Sequence, residues 1–132
     1  MVATRGNLEL FRYALEAART QHAELMILFV RHLAIATMGT SNVADIEADE
    51  EAKSFLAQAS QEAEAAAVPA RCLYAIAWDV GDAILDFAVT YGVDELVLGT
   101  SRRGALWQTM KGDVIRQVAE YLPERISLLI HA

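Results

Sequence analysis

The sequence predicts an α/β protein built on a parallel sheet with helices on both faces. Strand-like apolar runs alternate with segments of helical spacing, which gives the order βαβαβαβαβ. The run from Glu24 to Ala34 is apolar without alternation, as is typical of a strand covered on both faces. No repeat or linker interrupts the 132 residues, so we expect one domain. Right-handed crossovers then place the first strand centrally, with a binding crevice at the carboxyl ends of the strands.

The first half of the chain predicts two strands and two helices. Residues 1–4 form a short first strand, and Asn7 caps a helix over residues 8–21. After the second strand, Asp45 is expected to cap the second helix, and the acids that follow it suit the positive end of the helix dipole. Pro69 is expected to end this helix. Its apolar face contains Ala52, Phe55, Leu56, Ala59, Ala63 and Ala66.

The second half continues the alternation. Residues Cys72 to Ala77 predict the third strand, and the third helix starts at Asp79 or Asp82 and ends at Gly92, a residue suited to a helix C-terminus. Residues Glu95 to Leu98 predict the fourth strand. The last elements are a fourth helix, with Val114, Ile115, Val118 and Leu122 on its apolar face, and a final strand from Ile126 to Ile130.

Charge and composition exclude several classes of function. The 18 acidic residues outnumber the 11 basic ones, so the net charge of −7 argues against a nucleic-acid surface. The longest strongly apolar run, Leu25 to Val30, is far shorter than the ~20 residues of a membrane span. The single cysteine, Cys72, cannot form an internal disulfide and is expected to be a buried, unreactive thiol. We therefore expect a cytoplasmic or cytosol-facing protein.

Three segments together identify a resemblance to a known family. They are residues 79–88, residues 91–99, and the stretch Gly99-Thr-Ser-Arg-Arg-Gly-Ala-Leu that continues through Lys111-Gly112-Asp113-Val114. These segments resemble the universal stress proteins, and the resemblance extends over nearly the whole length of the chain. The resemblance implies a flavodoxin-like, Rossmann-like sandwich with strand order 3-2-1-4-5. It also implies a homodimer, a non-enzymatic role in stress response or regulation, and ATP or AMP as the ligand.

The resemblance also implies a set of ligand contacts. Nucleotide-binding members of the family have a glycine, two residues, a second glycine, nine residues, and a third glycine followed by Ser or Thr. Gly99 and Gly112 keep the outer spacing, but Arg102 replaces the second glycine and Asp113 replaces the Ser or Thr. The aspartate that the family carries at the end of the first strand has no counterpart in residues 1–8. The candidate contacts are Thr4, His32, Gly99, Ser101, Arg102, Arg103, Gly104, Gly112, Asp113 and Val114.

The two replacements predict a degenerate nucleotide site. A free helix N-terminus attracts phosphate, but a carboxylate at Asp113 caps the helix itself and repels a second anion. At ~4 Å and an effective dielectric of ~20 the repulsion is ~4 kcal/mol before screening. Arg102 and Arg103 offset this charge if they pair with Asp113 or reach a phosphate. Functional adenine-nucleotide binding, with slow hydrolysis not excluded, therefore stays open as an alternative.

Other features favour structural explanations. Gly99 and Gly104 match the glycine spacing of a Walker A loop, but no Lys-Ser or Lys-Thr follows. The acidic run from Asp45 to Glu51 lacks the pattern of a calcium loop and is read as a solvated helix start, and the three histidines are too scattered for a zinc site. Trp107 and Met110 in the long loop are read as packing or interface residues.

The final strand predicts how two copies would meet. It forms a sheet edge without Lys or Pro, and a bare apolar edge favours association. We expect an isologous dimer through antiparallel pairing of Ile126, Ser127, Leu128, Leu129 and Ile130. Because the first strand begins at Met1, we also expect the chain to be a segment of a longer polypeptide, and the soluble tail of a membrane transporter is one such context.

Overall fold

The computed structural model describes residues 1–32, 49–100 and 114–131. A five-stranded sheet lies at its centre, with the strand order β3-β2-β1-β4-β5 and every described pairing parallel. The predicted α/β fold and strand order are confirmed. The strands are β1 Val2–Thr4, β2 Leu25–His32, β3 Ala70–Ala77, β4 Glu95–Gly99 and β5 Ser127–His131.

The helices cover both faces of the sheet, and they are α1 Leu8–Gln21, α2 Glu50–Ala65, α3 Val80–Thr90 and α4, residues 114–121. On one face α1 and α2 pack over Val2, Ile27 and Phe29. On the other face Ile84 of α3 and Val118 of α4 pack over the residues that alternate with these along the strands. The two apolar clusters explain why β2 has an unbroken apolar run, since it is buried on both sides.

The helix starts follow local sequence signals. Asn7 caps α1, and its side chain accepts a hydrogen bond from the backbone N–H of Leu10 at 3.1 Å. Asp79 caps α3 in the same way, through the N–H of Asp82 at 3.0 Å. Both caps confirm the sequence prediction. An N-cap contacts a residue only three positions away, so the local sequence is enough to identify it.

The second helix departs from the prediction at both ends. Its N-cap is Asp49, so α2 begins at Glu50, and the predicted cap Asp45 lies outside the described residues. The helix ends at Ala65, four residues before Pro69, because Ala67 adopts a left-handed conformation with φ of 58° and turns the chain. Several aspartates and glutamates could have capped this helix, so the sequence did not single out the correct one.

The remaining boundaries shift by one to three residues. Gly92 follows the C-cap of α3 and has φ of 61°, which confirms the predicted left-handed turn. Strand β5 begins at Ser127, so Ile126, predicted as its first residue, lies just before it and is buried. Strand β1 is central as predicted but pairs with β4 through a single registered pair, Val2 with Val97. Within the described residues, no helix combines the length and apolarity that a bilayer span requires.

Candidate ligand crevice

The crevice lies beside the central strand β1, which has β2 on one side and β4 on the other. In open α/β sheets this switch in direction marks the ligand site, at the carboxyl ends of the strands. The structure places Thr4, His32 and Gly99 at these three strand ends. Three of the predicted contacts therefore lie along one edge of the sheet.

Thr4 is buried, and both lone pairs of its hydroxyl are used in the turn that follows β1. Its Oγ1 accepts hydrogen bonds from the backbone N–H groups of Gly6 at 3.1 Å and Asn7 at 2.9 Å. Gly6 has φ of 103°, a conformation that favours glycine, and this lets the chain turn directly into α1. Thr4 thus stabilises the turn with the same lone pairs that a ligand donor would need.

Arg5 brings a positive charge to the end of β1. Its side chain is half-buried, and its Nε has no hydrogen-bond partner among the described residues. Burial lowers the pKa of Arg5, the nearby charge of Arg31 lowers it further, and Glu51 acts in the opposite direction. Residues 1–8 lack the aspartate expected from the resemblance, and a cation lies at this end of the strand instead.

His32 lies on the other face of the sheet from Thr4. Thr4 pairs in register with Phe29, and His32 follows three residues later, so the two side chains point to opposite faces. His32 is buried, and its Nδ1 lacks a hydrogen-bond partner among the described residues. The structure therefore keeps Thr4 and His32 at the same edge but does not bring their side chains together.

Gly99 ends β4 in close contact with α1. A Cβ added at Gly99 would lie 3.1 Å from Cδ2 of Leu10, so the end of the Leu10 side chain would have to shift by a few tenths of an ångström. The next residue, Thr100, donates its backbone N–H to the carbonyl of His131 at 2.9 Å. Val114 is buried at the start of the described part of α4. The other predicted contacts lie outside the described residues, namely Ser101, Arg102, Arg103, Gly104, Gly112 and Asp113.

An ion-pair network beside the crevice was not predicted. Arg31, at the end of β2, donates to both carboxylate oxygens of Asp49 at 2.9 and 2.8 Å and to Glu51 at 2.8 Å. The hydroxyl of Tyr74 on β3 donates to Asp49 at 2.7 Å, and the N–H of Ala52 donates to it at 3.1 Å. Asp49 is 3% exposed and Glu51 is 65% exposed, so this network joins the start of α2 to two strands and extends from a buried carboxylate to the surface.

The network shifts the pKa values of its members in opposite directions. Burial of the Asp49 carboxyl favours its neutral form, but hydrogen bonds from Arg31, Tyr74 and Ala52 outweigh burial and lower its pKa. Hydrogen bonding to Asp49 raises the pKa of Arg31. Burial, and then the hydrogen bond to Asp49, raise the pKa of Tyr74. At neutral pH the network therefore holds Arg31 as a cation, Asp49 as an anion and Tyr74 as a neutral donor.

The prediction that Cys72 is buried is wrong. It lies on β3, which is an edge strand with only β2 as a neighbour, and the residue is exposed. Its thiol donates to the carbonyl of Leu56 at a distance of 3.7 Å. Desolvation of the sulfur raises the pKa of the thiol, so it remains protonated at neutral pH. Among the described residues, no group of three or more metal-binding side chains occurs.

The fold and its crevice define a Rossmann-like α/β sandwich of the class that binds ligands at the switch in strand order. The chain belongs to the universal stress protein family, because the sequence model described as "Universal stress protein family" matches residues 2–124. A search of curated proteins found no match.

Three solved structures illustrate the similarity. A universal stress protein in complex with cAMP is 21% identical, with a TM-score of 0.67 and coverage of 98% of this chain and 95% of that one. A universal stress protein from Archaeoglobus fulgidus in complex with dAMP is 19% identical, with a TM-score of 0.65 and coverage of 98% and 94%. A family protein from Burkholderia pseudomallei is 18% identical, with a TM-score of 0.66 and coverage of 98% and 93%. At these identities the likeness establishes the fold.

Proposed function

We propose that this protein is a dimeric, non-enzymatic regulatory domain of the universal stress type whose crevice binds adenine nucleotides weakly. The family membership supports the regulatory class, and the complexes of two similar proteins with cAMP and dAMP support adenine nucleotides as the ligand class. The observation that carries the proposal lies at the end of β1, where both lone pairs of the Thr4 hydroxyl accept from Gly6 and Asn7 and the adjacent charge is the cation Arg5. Residues 1–8 contain no aspartate, so this strand end lacks the carboxylate that the family resemblance implies.

The phosphate side of the crevice supports weak binding for a second reason. Arg102 and Asp113 stand where the family pattern has a glycine and a Ser or Thr. An arginine restricts the close approach of the backbone to a phosphate, and a carboxylate at the start of a helix competes with the phosphate for the free N–H groups. Both replacements act against phosphate binding, one by its bulk and the other by its carboxylate, whereas Arg102 and Arg103 offset the charge of Asp113 if they pair with it or reach a phosphate.

A second candidate function is full-strength adenine-nucleotide binding. The two nucleotide complexes favour it, and so does the Nε of Arg5, which lacks an acceptor among the described residues. In that case Gly99, Arg102, Arg103 and Gly112 would hold the phosphates. The two candidates differ in affinity, so they are separable by titration.

Thermal unfolding with and without 1 mM ATP–Mg²⁺, AMP or cAMP tests the proposal. A ligand at its dissociation constant adds ~0.4 kcal/mol of stability, and one at 100 times that concentration adds ~2.7 kcal/mol. For a domain of this size these values correspond to rises in Tm of about 2 °C and about 10 °C. We expect a rise of a few degrees at most; a rise near 10 °C would instead support the second candidate, and no rise at 10 mM would exclude nucleotide binding.

The double variant Arg102→Gly/Asp113→Ser tests the loop directly. Restoring the glycine and the hydroxyl removes the steric and electrostatic obstacles, so we expect ATP to bind at least tenfold more tightly, since ~1.4 kcal/mol is a factor of ten. The matched control Arg116→Gly/Glu120→Ser alters an arginine and an acid on the exposed surface of α4. Equal ATP affinity of the loop variant and the parent, by isothermal titration, would refute the explanation of weak binding.

A further inference from the structure

One face of the edge strand β3 is incompletely covered. Leu73, Ala75 and Ala77 alternate toward the side of the sheet that carries α3 and α4, and all three are only half-buried. Helix α3 packs mainly on β2 and only in part on β3. Two helices do not span the full width of five strands, and the described residues leave a groove between α3 and the end of β3.

We call this groove, of about 640 Å³, the acidic groove, and it is lined by Ala77, Asp79, Asp82, Ala83, Leu85, Asp86 and Val89. Two large apolar side chains, one adjoining the lining residues in the sequence and one within the lining, are exposed. Trp78, between Ala77 and Asp79, is 62% exposed, and Val89 in the last turn of α3 is 48% exposed. Exposed tryptophan beside an apolar groove is typical of protein–protein contact sites.

The rim of the groove carries three carboxylates that have no ion-pair partner among the described residues. Asp79, Asp82 and Asp86 are exposed, and none forms an ion pair with a described residue. Asp79 accepts the N–H of Asp82, and Asp82 accepts a hydrogen bond from Gln117 at 3.4 Å, so their contacts are with neutral groups. No lysine or arginine occurs among the lining residues.

We propose that the acidic groove binds a basic, amphipathic helical segment of a partner protein. Asp82 and Asp86 are one helical turn apart, about 6 Å along the axis of α3, which matches the spacing of lysines at positions i and i+4 of a facing helix. The apolar side chains of that helix would pack on Leu85, Val89 and Trp78. Anionic membranes are a poor occupant, because the net charge of −7 repels them.

A synthetic peptide pair tests the inference. The probe is an 18-residue amphipathic helix with leucine at the apolar positions and lysine along both flanks, and its control has glutamate in place of every lysine. The protein contains two tryptophans, so the Trp107→Phe variant makes Trp78 the sole reporter. We expect saturable binding of the lysine peptide with a blue shift of Trp78 emission, weakened several-fold by 0.5 M salt. Failure of this peptide to bind at 1 mM, or equal binding of the glutamate peptide, would refute the proposal.

A matched pair of charge variants separates a site from general attraction. Asp82→Asn/Asp86→Asn should weaken binding about fivefold, since each exposed ion pair contributes roughly 0.5 kcal/mol. Glu64→Gln/Asp94→Asn removes the same charge from exposed positions outside the groove and should leave the affinity unchanged. Equal losses in the two variants, or amide NMR shifts that map outside residues 77–89, would show that the groove is not the site.

Discussion

At the scale of single residues, Asp49 shows how one carboxylate can connect three elements. It caps α2, receives the guanidinium of Arg31 from β2 and accepts the hydroxyl of Tyr74 from β3. The Arg31 guanidinium also lies over the Phe29 ring, 5.1 Å from its centroid, so the ion pair rests on the apolar cluster below. The network therefore fixes the start of α2 relative to the strand ends that form the crevice.

The substitution Asp49→Asn should lower the free energy of unfolding by about 2 kcal/mol at pH 7, because Arg31 loses its buried anion and keeps only the exposed carboxylate of Glu51. The pKa of Asp49 is lower in the folded state, so its stabilisation is complete above pH ~4, where an unfolded aspartate is ionised, and is lost as the pH falls further. Urea unfolding at pH 7, 5, 4 and 3 measures this, and the gap between variant and parent should narrow below pH 4.

The control for this prediction is Glu62→Gln, which breaks a surface ion pair with Arg12, an arginine that is 53% exposed. Exposed pairs of this kind contribute at most about 1 kcal/mol, so the variant should stay close to the parent at every pH. If Asp49→Asn behaves like Glu62→Gln, the network does not stabilise the fold.

At the scale of elements, the turn after α3 determines where β4 begins. Gly92 has a left-handed backbone, and the N–H of Val93 then donates back to the carbonyl of Ala88 at 3.2 Å. A Cβ at Gly92 would meet no atom within 4 Å, so only the backbone conformation disfavours a side chain there.

Gly92→Ala should therefore lower the free energy of unfolding by about 1 kcal/mol, the usual cost of placing alanine in a left-handed conformation. Gly92→Asn should lower it by less, because asparagine tolerates this conformation. Thermal or urea unfolding of both variants checks the order. An alanine variant as stable as the parent would mean that this turn relaxes without cost.

At the scale of the whole molecule, β5 is the edge that we propose for the dimer. Leu128 and Leu129 pack against the two apolar clusters, so their side chains support the fold, whereas Ile130 is 41% exposed. We expect dimerisation through this edge to use the backbone of β5 and the exposed side chains of Ser127 and Ile130.

Ile130→Glu should convert the dimer into monomers without unfolding them, because a charged side chain on an edge strand opposes edge-to-edge pairing. The control Val89→Glu places the same charge at a similarly exposed position on α3. Light scattering gives the mass of each variant, and circular dichroism confirms that both fold. A dimer that persists in Ile130→Glu would reject this edge.

Predictions succeeded where the contact joins residues close together in the sequence, and they failed where it joins residues far apart. Asn7 and Asp79 were assigned correctly because a cap contacts a residue three positions away. Arg31, Asp49 and Tyr74 were not connected, since their contacts span 18 and 25 residues and depend on the register of β2 with β3.

Cys72 was misassigned because an apolar strand pattern does not distinguish a central strand from an edge strand. Of the candidate crevice, the sequence predicted Thr4, His32 and Gly99 at one edge, but not that the turn after β1 occupies both lone pairs of the Thr4 hydroxyl.

The close fit of Gly99 against Leu10 gives this glycine a reason that does not involve a ligand. The packing of α1 on β4 favours a small residue here whether the crevice is empty or filled. Gly99 is therefore weak evidence for nucleotide binding when it is taken alone. Arg102 and Asp113, where the family pattern differs, are the more informative positions for the ligand.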